Sequence, residues 1–335
     1  MKVKHSMMQI LKRDETKIRK GVLFRVSSRK LFPSLLLMVL GLSVLIPCAL
    51  DAQPRTRPTA PESRFDDLEK EEAEAFLERF RENTLQASYV FGFEMRVMPA
   101  RGKGVTYQGR LWNGPVSEDT AGSLVEIFSD DRTSPEVQLL FHRNRSGESR
   151  GWKYSGSVET QSPEEWGEEK REGVQVLEYD QFYQPLLETD YSPFDLQMPF
   201  VFWQDASYEG RYFLRGRSTY TFLVHPPEKF QEDDAWPWKA IRLHFDAEFE
   251  ALMQVDWIDS RNRDRRTLAL LEIKEVEDQW IPKTLDFRNR ETRGKTRFTV
   301  NQVAFNLAFP QEIFTPMVLG RWSPVLDDDF FHPVQ

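Results

Sequence analysis

The chain has 335 residues, is 40% hydrophobic and 13% aromatic, and carries a formal net charge of −8. That length holds one large or two small domains, and that apolar content excludes a largely disordered chain. Residues 1–52 hold ten Lys/Arg against three Asp/Glu, which leaves 35 basic and 50 acidic residues in 53–335, a net of −15. So acidic a body opposes non-specific binding to nucleic acid or anionic lipid surfaces.

The first 30 residues form a basic n-region, with Lys12, Arg13, Lys17, Arg19, Lys20, Arg25, Arg29 and Lys30 ahead of any apolar run. Residues 31–52 read as a signal peptide. The apolar stretch Leu35 to Leu50 suits a signal core and is short for a membrane span. Cleavage is expected after Ala52, which places the mature protein in the periplasm; a retained N-terminal anchor is the alternative. Cys48 is the single cysteine, and Pro47 before it fits a lipidation box badly. Cleavage after Ala52 leaves no cysteine, so disulfides, a catalytic thiol and thiolate metal sites are excluded.

Residues 53–61, QPRTRPTAP, form a proline-rich linker. Ser63 to Asn83 is predicted as a helix. Phe65, Leu68, Ala75/Phe76 and Phe80 fall on one face, and Asp66 and Asp67 suit its N-terminal end. Then SYVFGFEMRV alternates strictly, with Tyr89, Phe91, Phe93, Met95 and Val97 on one side and Gly92, Glu94 and Arg96 on the other. Similar runs occur at 105–113, 123–129, 137–143, 151–155, 208–214, 218–225, 239–246, 250–259, 266–276, 280–289 and 295–305. Roughly a dozen one-sided antiparallel strands make a large curved sheet or barrel with few helices. Its apolar face needs a cover. The helix is one candidate, and the irregular stretch 160–206 is another, since its aromatic residues are too many to leave in water. One domain is expected over 62–320, with a tail at 321–335.

Residues for chemistry are sparse. The histidines are His5, His142, His225, His244 and His332, none at metal-ligand spacing, and no nucleophile elbow, Walker loop or dinucleotide fingerprint is present. Asp246, Glu248 and Glu250 read as a charged hairpin turn, and Asp327 to Asp329 as a solvated stretch. No catalytic residue, metal or cofactor is expected, and nucleic acid is not an expected partner.

Three segments together carry a likeness to one group of bacterial proteins. The first is LETDYSPFDL, residues 187–196, similar to that group's Thr-Asp-aromatic-Ser-x-x-Asp-Leu turn, although Glu188 stands where the turn carries glycine. The second runs from YEGRYFLRGRSTYTFLVHPP through KAIRLHFDAEFEALMQVDWIDSRNRDRRTLALLEIKEVEDQWIPKTLDFRNRETRGKTRFTV, with Asp246, Asp256, Trp280 and Pro282 as signposts. The third is FPQEIFTPMVL, and together the three resemble the LolA-like outer-membrane lipoprotein-sorting proteins of bacteria. The likeness spans roughly 185–320, and 99–180 matches poorly.

The resemblance implies an incomplete β-barrel covered by helices, with an apolar cavity for lipoprotein or lipid acyl chains. It also implies transfer between an inner-membrane donor and an outer-membrane acceptor by a monomeric, non-enzymatic carrier. Cavity candidates are Tyr89, Phe91, Phe93, Met95, Tyr107, Leu111, Tyr220, Phe222, Phe245, Met253, Val255, Trp257, Leu285, Phe287, Phe298 and Val300. Lid candidates are Tyr191, Phe194, Phe200 and Trp203, with LETDYSPFDL as the hinge and Asp195, three residues after Ser192, as a helix-start partner. An envelope sensor or binding module on the same fold, and an integral outer-membrane barrel, are the competing readings.

Overall fold

The computed structural model describes residues 67–335 except 87, 129–133, 157, 159–171, 179, 232–235, 278 and 322, together with a short strand β1 (Arg25–Val26). The signal peptide, the linker and the predicted helix start at Ser63 lie outside the described residues. Helix α1 (Lys70–Gln86) carries Glu71 and Glu72 in its first turn, where the free N–H groups favour negative charge. Its Ala73, Phe76 and Leu77 are buried and Phe80 is partly so, the i, i+3, i+4, i+7 spacing of a single face.

Strands follow close to the predicted runs: β2 (Tyr89–Met98), β3 (Thr106–Ser117), β4 (Thr120–Phe128), β5 (Pro135–Asn144), β6 (Ser149–Ser155), β7 (Gln175–Val176), β8 (Ala206–Leu214), β9 (Arg217–Val224), β10 (Trp238–Asp246), β11 (Leu252–Asp259), β12 (Asp264–Val276), β13 (Gln279–Asn289) and β14 (Lys295–Phe305). They form one antiparallel sheet in the order β7-β6-β5-β4-β3-β2-β14-β13-β12-β11-β10-β9-β8. Every neighbour along this path is also a neighbour in the chain, except where β2 meets β14, with Phe93 opposite Val300 and Met95 opposite Phe298. The sheet curves but does not close: β7 and β8 are its two edges.

The alternation decides what each face meets. Phe91, Phe93, Met95 and Val97 of β2 join Phe222, Phe245, Val255, Trp257 and Phe287 in one continuous core on the concave face. Helix α1 crosses the end of this trough. Phe76 packs on Tyr220, Phe222 and Phe245, Arg79 pairs with Glu250 in the β10–β11 turn, and Glu82 pairs with Arg145 in the β5–β6 turn.

One-sided alternation fails on β3 to β5. Trp112, Leu124 and Leu140 point to the convex face and are fully buried there. They form a second core with Ile313, Phe314, Val318, Leu319 and Leu326, contributed by the segment after β15 (Leu307–Ala308). A strand covered on both faces loses its polar side. The residues expected as a tail are packed as well: Leu326 joins this second core, Val334 is buried in the first, and β16 (His332–Pro333) pairs with β14. Beneath the segment lies Glu126, with no exposed surface. It accepts from Trp112 Nε1 at 3.3 Å and Gln138 Nε2 at 3.1 Å and pairs with Arg110 at 3.3 Å.

Candidate functional site

The trough is occupied by the segment that joins its two edges. After β7 the chain makes a 3-10 turn (Asp180–Tyr183), then helix α2 (Pro193–Gln197), then a second 3-10 turn (Pro199–Phe202), and reaches β8. The sequence shapes each step. Ser192 caps α2: its Oγ accepts from Asp195 N at 3.3 Å, while its own N–H donates to Asp195 Oδ2 at 2.9 Å, a reciprocal capping box. Pro193 opens the helix, where a missing N–H costs nothing. Met198 ends it with φ 48°, and Pro199 turns the chain into the next element.

Three arginines from the surrounding scaffold hold this segment by its backbone. Arg266 of β12 donates Nη2 to Asp190 O at 2.6 Å and to Asp195 Oδ2 at 2.9 Å, with its guanidinium 4.5 Å from the centre of the Phe287 ring. Arg81 of α1 donates to Val201 O at 2.9 Å and Trp203 O at 2.6 Å. Arg143 of β5 donates to Gln197 O at 2.7 Å and stacks 4.2 Å from the Phe202 ring. Thr296 of β14 adds a fourth tie: its hydroxyl donates to Asp190 Oδ2 and accepts from Asp190 N, both at 2.9 Å. Burial raises the Asp190 carboxyl above its ordinary range, against the opposing pull of Thr296 and Arg266. Burial also pushes Arg143 down to about 10, so it stays charged at neutral pH.

The lid candidates Tyr191, Phe194, Phe200 and Trp203 are buried against the sheet. Tyr191 lies 4.9 Å from Phe287 and 6.1 Å from Phe298, and Phe200 lies 5.6 Å from Trp257. Of the cavity candidates, Phe91, Phe93, Met95, Tyr107, Tyr220, Phe222, Phe245, Val255, Trp257, Phe287, Phe298 and Val300 are buried on the concave face, with Tyr89, Leu111 and Leu285 packed against them. Met253 is buried but belongs to neither core. These side chains do not line an open trough in this conformation: they meet α1 and the middle segment.

Sequence reasoning missed two parts of the cover. The β9–β10 connection adds Phe230 and Trp236, which join Phe194 and Trp203 in one aromatic cluster with centroids 5.1 to 6.1 Å apart. Their density of rings was the available signal. The three arginines gave none, because each reads as ordinary surface charge. Where the cover meets the β5–β6 turn, Ser146, Gly147, Glu148, Trp203, Pro227, Glu228 and Phe230 line a pocket of about 360 Å³. Gly147, at φ 80°, is required there: a Cβ would approach Phe202 Cβ to 2.8 Å.

The convex face carries one polar series with a catalytic look. Thr221 Oγ1 is 2.9 Å from His244 Nδ1, and His244 Nε2 is 3.3 Å from Asp256 Oδ2. Thr221 has no exposed surface, so no substrate atom reaches its hydroxyl, and the series is a buried polar tie between β9, β10 and β11. Among the described residues, no three His, Cys, Asp or Glu side chains are grouped to hold a metal ion, and no helix is long and apolar enough to cross a membrane.

A family model described as "Uncharacterized protein" matches residues 176–321. No curated protein matches the sequence. Among solved structures, a domain from Vibrio parahaemolyticus described as an outer membrane lipoprotein-sorting protein is similar over 74% of this chain and 100% of its own, at 17% identity and a TM-score of 0.58. A DUF1329 family protein from Desulfovibrio piger is similar over 72% of this chain and 97% of its own, at 12% identity and a TM-score of 0.59. At such identities the likeness lies in the fold alone. The chain has the LolA-like fold of the outer-membrane lipoprotein-sorting proteins.

Proposed function

We propose that this protein is a periplasmic, non-enzymatic carrier that holds lipid or lipoprotein acyl chains between the concave face and the middle segment. The observation that carries this reading is the unclosed seam between β7 and β8, filled by a short aromatic cover rather than by further strands. A large apolar sheet face closed by irregular turns can exchange its cover for another apolar occupant. Burying one acyl CH₂ contributes about 0.8 kcal/mol, so a long chain brings roughly 10 kcal/mol gross. Because the chain displaces buried rings, the net gain is much smaller than the gross, which suits cargo that must later be released. The arginine contacts to segment carbonyls set how readily the cover lifts. Inner-membrane donor and outer-membrane acceptor proteins are the partners this role requires.

The test is to purify the exported protein from its host envelope, extract it with organic solvent and identify the lipid by mass spectrometry. The delipidated protein is then titrated with a long-chain acyl probe. Near-stoichiometric lipid and saturable rebinding are expected; absence of both overturns the proposal.

A further inference from the structure

Arg143 differs from the other two arginines that hold the cover. Arg266 has Asp195 at 2.9 Å, and Arg81 has Glu78 at 3.5 Å. Among the described residues, Arg143 has no carboxylate partner, although it is nine-tenths buried. Among the described residues its guanidinium makes one hydrogen bond, to the neutral carbonyl Gln197 O, stacks on the Phe202 ring, and has its Nε buried with no partner. Directly across the strand pair stands Ser149, on the same face, and its hydroxyl is also buried and unpartnered. A buried cation beside idle polar groups, at the end of an apolar trough, is normally compensated by an anion.

We propose that Arg143 and Ser149 form a recess for the anionic oxygen group of an acyl ligand, the head group whose tail lies along the concave face. This rests on the acyl-binding reading above and narrows it. A fatty-acid carboxylate and a phospholipid phosphodiester share the required chemistry; the neutral ester end of a diacylglycerol lacks it. The geometry also couples recognition to opening. The arriving anion takes the place of Gln197 O on the guanidinium. Gln197 immediately precedes Met198, the left-handed joint between α2 and the Pro199–Phe202 turn. Losing that carbonyl contact frees the joint, so head-group capture and release of the cover are one event.

The experiment uses delipidated mature protein at pH 8, followed by tryptophan fluorescence, with palmitate, methyl palmitate, dioctanoyl phosphatidylglycerol, dioctanoylglycerol and inorganic phosphate as probes. At least one anionic lipid is expected to bind about tenfold or more tighter than its neutral counterpart, the range of a charge-assisted hydrogen bond. The palmitate pair and the phosphatidylglycerol pair separate carboxylate from phosphodiester recognition. Arg143→Gln loosens the cover for both lipids alike by removing the Gln197 O contact, so the readout is their ratio: the anionic-to-neutral affinity ratio is expected to fall to about one, and a ratio unchanged from wild type overturns the recess. Equal wild-type affinities within both pairs overturn the recess and leave acyl binding standing, whereas no binding of any lipid overturns both. Phosphate binding as tightly as the lipids also overturns the head-group assignment. Should Arg143→Gln fail to fold, the wild-type ratios decide alone.

Discussion

Asp195 of the middle segment and Arg266 of β12 meet at 2.9 Å across 71 residues of chain. The Asp195 side chain has no exposed surface, and the same Oδ2 accepts from the Ser192 N–H that begins α2. One carboxylate therefore sets the local helix and its place over the sheet. A buried partner is costly to strand, because the remaining charge keeps its desolvation penalty.

Asp195→Ala is expected to destabilise the protein by about 3–5 kcal/mol, since it leaves Arg266 unpaired and removes half of the capping box. Urea denaturation measures this. A loss below about 1 kcal/mol would show that the pair contributes little to holding the cover.

Phe200 distinguishes a displaceable cover from ordinary core. It is fully buried against Trp257, Phe194 and Trp203. Phe200→Ala is expected to cost about 3–5 kcal/mol of stability and at the same time to raise affinity for a long-chain acyl probe. Less apolar surface must then be given up when the cover lifts. Parallel titrations of wild type and variant check the sign, and a fall in affinity alongside stability argues for a static core.

Glu126 ties the convex core to the C-terminal segment through Gln138, whose Oε1 accepts from Gly320 N at 2.8 Å. Glu126→Ala is expected to destabilise by about 3 kcal/mol, leaving Arg110 and the Trp112 indole without their shared acceptor. Acyl binding should be retained, because Glu126 faces away from the trough. Loss of binding with the fold intact contradicts that assignment.

Acid stability follows from Asp256 and Asp286. Burial alone raises both carboxyls. Hydrogen bonds from His244, Thr267 and Gln254 to Asp256, and from Arg297 and Lys295 to Asp286, more than offset it and hold both below their ordinary value of 3.8. A carboxylate depressed in the folded state contributes stability that is complete above its unfolded pKa and is lost as pH falls through its native value. Asp190, raised by burial, has the opposite sign and loses its contribution as pH rises through its native value. The urea midpoint should therefore fall below pH 3.8, and Asp286→Asn should flatten that fall. An unchanged acid profile in the variant counts against the assignment.

Local order was legible because it depends on local chemistry. Period-2 alternation in Phe91, Phe93 and Met95 placed the strands and the concave face, and the spacing of Ser192 to Asp195 placed a helix start. Two-sided burial of β3 to β5 was hidden: Trp112 and Leu124 become core only once the C-terminal segment folds back on them, and no local pattern reports a partner nearly 200 residues away.

The sequence by itself determined the strand periodicity, the turns and the apolar face, since these follow from side-chain direction and backbone sterics within a few residues. Only the tertiary structure decided that the sheet stays open between β7 and β8 and that Arg266 meets Asp195. It also decided that Arg143 lies buried beside a carbonyl rather than a carboxylate. Ion pairing and burial act through space, and distant stretches of chain must be brought together before a charge meets its partner.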